Sequence, residues 1–170
     1  MLEIRQENAG DYSRVYEIVK TAFEAAEHCD GNEQDLVTAL RSSASFIPQL
    51  ALVAVMENKI IGYAMFTKIR VGNDTELALA PLAVLPEYQN QGIGSKLVTE
   101  GHRIAKELKY DYCVVLGDNR YYHRFGYIPA SEYNIKAPFE VNDEYFMAVQ
   151  LNDKSKPING IVMYDKAFEI

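Results

Sequence analysis

Residues 81–98 read Pro-Leu-Ala-Val-Leu-Pro-Glu-Tyr-Gln-Asn-Gln-Gly-Ile-Gly-Ser-Lys-Leu-Val: an apolar strand, a turn stopped by Pro86, a loop holding Gly92 and Gly94, and a helix start. The first turn of a helix carries backbone N–H groups without intrahelical partners, and the helix dipole adds positive potential there. The chemistry on offer is anion binding, of a phosphate or pyrophosphate. Gly92 and Gly94 lack a Cβ, so such a group can approach the backbone, and Gln89 stands just before the loop with a side chain able to brace it. Two familiar phosphate loops fit poorly. A dinucleotide fingerprint needs a third glycine where this chain has Leu97, and a Walker A loop needs Gly-Lys-Ser/Thr where this chain reads Gly94-Ser95-Lys96.

What does match is Gln89-x-x-Gly92-x-Gly94 behind an apolar Leu82-Ala83-Val84 strand, which resembles the acetyl-CoA pyrophosphate loop of the GNAT N-acetyltransferase superfamily. A second segment, Leu116-Gly117-Asp118-x-x-Tyr121-Tyr122-x-Arg124-Phe125-Gly126, is similar to the YhbS-like branch of that superfamily. There a tyrosine stands four residues before a Gly-aromatic pair, as Tyr122 stands before Gly126-Tyr127. Glu33-x-x-Leu36 to Arg41, and Gly160 to Phe168, are further hints of that branch.

The resemblance implies an α/β fold of GNAT type: a mixed, mostly antiparallel sheet with splayed central strands, flanked by helices, in a single domain over residues 1–170. It implies acyl-CoA-dependent N-acyl transfer, with acetyl passing directly from acetyl-CoA, as acyl-donor substrate, to an amine of a small molecule or peptide. Under it, backbone groups of Leu82, Ala83 and Val84 pair with the pantetheine arm like an added strand. The amides of Asn90, Gln91, Gly92, Ile93, Gly94, Ser95 and Lys96 hold the pyrophosphate. The Lys96 side chain either adds charge there or is merely solvated. Asn119 is a further cofactor contact, though the family's asparagine usually lies further before the tyrosine. Tyr122 donates to the departing sulfur.

The amine must lose a proton, and the strand over residues 77–85 carries no internal carboxylate or histidine. Glu33, Asp35, Glu76 and Asp118 are the nearby carboxylates, each also readable as a solvated or helix-end charge. Glu33 is the choice as catalytic base, because its helix borders the acceptor cleft in this fold; a water relay is the alternative. No Ser/His/Asp or Cys/His arrangement adjoins the cofactor motifs, which favours direct attack over an acyl-enzyme. Two other readings stay open: a non-catalytic acyl-CoA-binding regulatory module, and a nucleotide or phosphate binder that uses only the glycine loop.

Composition fits one domain: 170 residues, 48% hydrophobic, enough for a core. The net charge of −7, without a run of Lys or Arg, argues against nucleic acid as partner and tolerates a cationic amine. Apolar stretches fall short of a membrane span and no signal pattern opens the chain, so the expectation is a cytoplasmic protein, with a homodimer open. Two cysteines, Cys29 and Cys113, make no disulfide framework, and Cys113 reads as a small hydrophobe in a strand. His28, His102 and His123 lack ligand spacing and read as surface or helix-face residues; no metal is implied.

The elements that position these residues follow from periodicity. Residues 2–5 alternate as a strand, Asp11 can cap a helix with apolar positions at Val15, Ile18, Val19 and Ala22, and residues 33–41 form a shorter helix. Residues 50–56 and 59–70 read as a hairpin across Glu57-Asn58, followed by a strand over 77–85. Pro81 is anomalous inside that strand, marking a bulge, an opening or a misread boundary. A long helix starts at Ile93, with Gly101 permitting close contact to the sheet, and leads to a parallel strand over 112–116. Segments 130–135, 145–151 and 160–164 are strand-like, and 152–159 is a polar loop.

Overall fold

The computed structural model describes residues 1–25 and 31–170; Cys29 and His28 lie outside them. Leu2–Gln6 (β1) pairs antiparallel with Ala51–Met56 (β2), and β2 pairs with Lys59–Val71 (β3) through the Glu57-Asn58 turn. Both turn residues have positive φ, 51° and 66°, which matches a tight hairpin turn to the strand twist. A second turn at Gly72 and Asn73 returns the chain into Asp74–Val84 (β4), so this strand begins three residues before the apolar run.

After β4 the chain crosses over through Ile93–Glu107 (α3) into Tyr112–Leu116 (β5), which lies parallel to β4. Gly101 is where this helix meets the sheet: a Cβ there would collide with the Phe66 ring. Ile128–Pro129 (β6) and Phe146–Gln150 (β8) complete the path β1-β2-β3-β4-β5-β8-β6. Gly160–Met163 (β9) pairs with the end of β3 and with Ile135–Lys136 (β7). This is the mixed, mostly antiparallel sheet that the family resemblance implied.

Residues 130–135 are not the strand expected. Ala130–Tyr133 is a 3-10 turn and Asn134 takes a left-handed conformation, φ 61°, leaving only β7 extended. Asn adopts that region more readily than most residues, and it ends the turn so that Ala130 and Ile135 bury in the same core. Asp11 also differs from expectation. Its side chain does not cap Tyr12–Glu24 (α1). The chain enters that helix through a 3-10 turn, and the Asp11 carboxylate accepts the Asn8 N–H at 2.8 Å and Arg5 Nη1 at 2.8 Å.

The sheet opens at its centre. β4 and β5 pair only at Leu77–Cys113 and Ala78–Val114. Opposite, the β3–β4 register shifts between Ala64 and Phe66, so Ala80 and Pro81 share one place in the ladder. A residue without an N–H sits at such an irregularity without loss. Below the opening, Glu76 Oε1 accepts the backbone N–H groups of Asp111 (3.0 Å) and Tyr112 (3.1 Å), tying the foot of β5 to β4.

Burial raises the Glu76 carboxyl from 4.5 to about 6, partly offset by those two N–H groups. A carboxyl raised by folding makes stability fall as pH climbs from about 4.5 to about 6, by roughly 2 kcal/mol for a shift of this size. Glu76→Gln keeps an accepting oxygen and does not ionise. Between pH 4 and pH 7 it should therefore gain about 2 kcal/mol relative to the parent in urea unfolding. A constant difference across that range would show that Glu76 does not titrate as described.

Helix Glu33–Arg41 (α2) is held by its last residue. Arg41 makes a two-point pair with buried Glu7, Nε to Oε2 at 3.0 Å and Nη2 to Oε1 at 2.8 Å, while its guanidinium lies 3.9 Å from the Tyr12 ring centroid. This anchor fixes the helix that carries Glu33 and Leu36.

Candidate active site

The glycine loop is built as a helix start with donors to spare. Leu85 N–H bonds Ile61 O at 2.9 Å, a 3-10 turn follows at Pro86–Tyr88, and Gln89 Nε2 donates to Val84 O at 3.1 Å, bracing the loop. Asn90 and Gly92 are left-handed, φ 63° and 81°. The first helical bond of α3 runs from Lys96 N–H to Gly92 O at 3.1 Å, so the Lys96 amide is spent within the helix. Among the described residues no backbone acceptor takes the amides of Gly92, Ile93, Gly94 or Ser95. Four adjoining N–H groups at the positive end of a 15-residue helix form an anion cradle.

These amides open on a cleft of ≈ 510 Å³ that also takes in Leu82, Val84, Gln89 and Asn90. Ladder alternation explains why β4 serves it. The Leu85–Ile61 bond fixes the phase, so Ala83 spends its N–H and C=O on β3, while Leu82 and Val84 turn theirs to the open side. The Ala83 side chain is buried. Of the sequence candidates, Gln91 lies outside the cleft, and Lys96 lines a separate depression with Ile4 and Thr99. Asn119 lines a separate groove with His123 and Met147.

Three side chains of the cleft were missed: Tyr88, Tyr121 and Arg124. The Tyr121 hydroxyl fills the space that a Cβ on Gly94 would need, so that glycine makes room for a tyrosine rather than for a ligand. The Arg124 guanidinium lies 4.7 Å from the Tyr121 ring centroid and has no carboxylate partner among the described residues. The signal was present in the Tyr-Tyr-x-Arg spacing, which places Arg124 on the Tyr121 face of one short turn.

Tyr122 ends the short helix Asn119–Tyr122 (α4), which Asp118 caps by accepting Arg120 N–H at 2.9 Å. Its ring rests against Gly117, 2.6 Å from where a Cβ would stand, and meets the rings of Tyr121 at 5.0 Å and Tyr127 at 5.8 Å. Tyr122 therefore packs between Gly117, just past β5, and Tyr121 of the cleft wall, and does not itself line the cleft. Its hydroxyl has no hydrogen bond among the described residues, and burial pushes the phenol above its ordinary range.

Behind it the Tyr127 hydroxyl joins His102 Nε2 at 2.9 Å and donates to Cys113 Sγ at 3.3 Å. Burial lowers His102 to about 4 and raises the Cys113 thiol to about 12. His102 is thus an inward-facing neutral imidazole, and Cys113 is the inert strand residue its pattern suggested.

The four carboxylates separate clearly. Asp35 accepts from Tyr16 Oη at 2.9 Å, Asp118 is engaged by Arg120, and Glu76 clamps β5. Glu33 Oε2 is buried without a hydrogen-bond partner, one helical turn from Leu36. Among the described residues no group of three His, Cys, Asp or Glu could hold a metal ion, and no helix is long and apolar enough to cross a membrane.

An open mixed sheet with an anion cradle after its fourth strand defines an acyltransferase-type fold, and the sequence comparison agrees. Residues 12–127 match the acetyltransferase (GNAT) family, and the chain belongs to it. The chain is 33% identical over 140 residues to YjhQ of Escherichia coli K12, an uncharacterized N-acetyltransferase, across 79% of this chain and 75% of that one. Escherichia coli YhbS, crystallised in complex with CoA, superposes with a TM-score of 0.90 at 29% identity, covering 99% of this chain and 92% of that one. A GNAT family acetyltransferase from Brucella melitensis in complex with acetyl-CoA gives 0.81 at 28%, covering 99% and 98%.

Proposed function

We propose that residues 1–170 form one catalytic domain that transfers the acetyl group of acetyl-CoA directly to a primary amine, working on a cytoplasmic pool. The observation that carries this reading is the run of four unspent amides, Gly92 to Ser95, opening on a cleft that leads along Leu82 and Val84 to the gap between β4 and β5. The amides take the pyrophosphate, with Arg124 supplying the cation that Lys96, facing elsewhere, does not. Pantetheine lies beside β4 and pairs with the backbone of Leu82 and Val84. The CoA complexes of the two neighbouring structures support this choice of donor.

The amine nitrogen attacks the thioester carbonyl carbon, the C–N bond forms, and the Leu82 N–H polarises the carbonyl oxygen. The C–S bond then breaks with its electron pair on sulfur. Glu33, whose Oε2 has no protein partner, takes the proton from nitrogen, and Tyr122 donates to the sulfur. Proton return from Glu33 to Tyr122 through water restores both groups. Among the described residues the one cysteine, Cys113, is fully buried with its thiol pushed up to about 12, which does not suit an acyl carrier.

Initial rates with acetyl-CoA and an accepted amine should give intersecting lines, and mass spectrometry after acetyl-CoA alone should show no stoichiometric adduct. Parallel lines with an acetylated Cys29 or Cys113 that passes its acetyl group to amine would overturn direct transfer. Tight acetyl-CoA binding with no turnover across a broad amine panel would instead identify a regulatory module.

A further inference from the structure

A second cavity of ≈ 210 Å³ lies at the apex of the strand opening. Consecutive residues of both strands line it, Leu79 and Ala80 from β4 and Val115 and Leu116 from β5. Paired strands turn consecutive side chains to opposite faces, so this lining means that the cavity occupies the gap itself. Leu82 of the cofactor cleft is two residues beyond Ala80, ~7 Å along the strand.

The outer wall is Leu36 of α2 with Phe139, Tyr164 and Phe168. It is held in place by an identifiable clasp. Ser45 Oγ donates to Asp165 Oδ2 at 2.8 Å, Asp165 Oδ1 accepts Ala167 N–H at 2.9 Å, and the Tyr164 and Phe168 rings lie 4.9 Å apart.

We propose that this cavity receives the carbon skeleton of the acceptor, so that the substrate is a primary amine carrying one compact apolar group, a single aromatic ring or a branched alkyl, and not a polyamine or aminoglycoside. The proposal rests on the acetyltransferase reading above. Among the described residues no side chain lining the cavity is a carboxylate or a cation, so a second ammonium placed there would find no ion-pair partner among them, which costs free energy. Size agrees: an apolar cavity of about 150 Å³ accepts benzene, and this one leaves room for a ring of that size and little more. Glu33 stands one helical turn from Leu36, and its buried Oε2 has no hydrogen-bond partner. A carboxylate one turn from the cavity wall suits a single amine nitrogen better than a polycation.

The test measures CoA release from acetyl-CoA with 2-phenylethylamine, isoamylamine, spermidine and kanamycin. Saturation-transfer NMR of the same amines on the CoA-loaded protein and calorimetry of acetyl-CoA accompany it. The two apolar amines should exceed the polycations in kcat/KM by about 10-fold or more, and Leu36→Trp, which fills the cavity, should remove at least that advantage with acetyl-CoA affinity unchanged. Phe168→Ala, which widens it, should shift preference toward 1-naphthylmethylamine. Preference for spermidine or kanamycin overturns the proposal and leaves acetyl transfer standing. So does a Leu36→Trp effect confined to longer acyl-CoA donors, which would put the acyl chain in the cavity. Binding of 2-phenylethylamine lost in Leu36→Trp, without any CoA release, supports the cavity assignment and removes the acetyltransferase reading. Neither binding nor turnover of the apolar amines overturns the proposal, while acetyl-CoA calorimetry judges the reading separately.

Discussion

Tyr122→Phe should lower turnover by on the order of 10² to 10⁴ while leaving acetyl-CoA affinity nearly unchanged. The substitution keeps a ring that packs on Gly117, Tyr121 and Tyr127 and removes one oxygen. Because that oxygen has no hydrogen bond among the described residues, its loss leaves no partner stranded, and the Phe variant should be at least as stable as the parent. A drop in kcat with an unchanged melting temperature therefore reports chemistry and not folding.

The energetics say what kind of chemistry. A reference phenol near 10 and a reference thiol near 8.5 make full proton transfer uphill by about 2 kcal/mol, and burial raises the Tyr122 phenol further. In the proposed mechanism donation would then be a hydrogen bond that strengthens as charge develops on sulfur. Steady-state kinetics with calorimetry measure both quantities, and a parent-like kcat in the Phe variant would remove Tyr122 from the mechanism.

Local chemistry made much of this legible in the chain. The two-residue break at Glu57-Asn58 between apolar runs announces a hairpin, with Asn58 suited to positive φ and Glu57 adopting it under tertiary constraint, and Pro81 announces an interrupted ladder because it has no N–H to contribute. Gln89-x-x-Gly92-x-Gly94 marks the cradle since all its parts lie within one loop. What escaped is long-range or depends on phase. Glu76 reaches backbone 35 residues away, and nothing near it in sequence distinguishes a clamp from a solvated carboxylate. Whether Ala83 or its neighbours face the gap turns on one ladder bond between Leu85 and Ile61, and a single residue of slip would reverse it. The Lys96 amide is spent on Gly92 O because the first helical bond of α3 ends there, a point that depends on where the helix begins. The acceptor wall joins Leu36 to Phe139, Tyr164 and Phe168, residues that no local pattern could assemble.

Gly92→Val should weaken acetyl-CoA binding by about 10- to 100-fold, the loss expected from one or two charge-assisted hydrogen bonds to a pyrophosphate. Two effects combine in this substitution, and they can be separated. Gly92 has φ +81°, where a β-branched residue is strained by on the order of 1–3 kcal/mol, so the loop should relax and misdirect its amides. Apart from strain, no heavy atom of the described residues, beyond Gly92 and its two chain neighbours, lies within 4 Å of a Cβ built there. That empty space belongs to the cleft the phosphates would occupy, so the added methyls compete with the ligand and not with the fold. Gly92→Asn discriminates between the two causes, since asparagine tolerates the left-handed region yet still projects a side chain. If bulk in the cleft dominates, both variants should lose affinity; if backbone strain dominates, Asn should bind nearly as the parent does while Val does not. Thermal denaturation of each variant confirms that a folded protein is being titrated. A folded Gly92→Val protein that binds acetyl-CoA as tightly as the parent in calorimetry would mean that the pyrophosphate lies elsewhere, and the four unspent amides of α3 would lose their assignment.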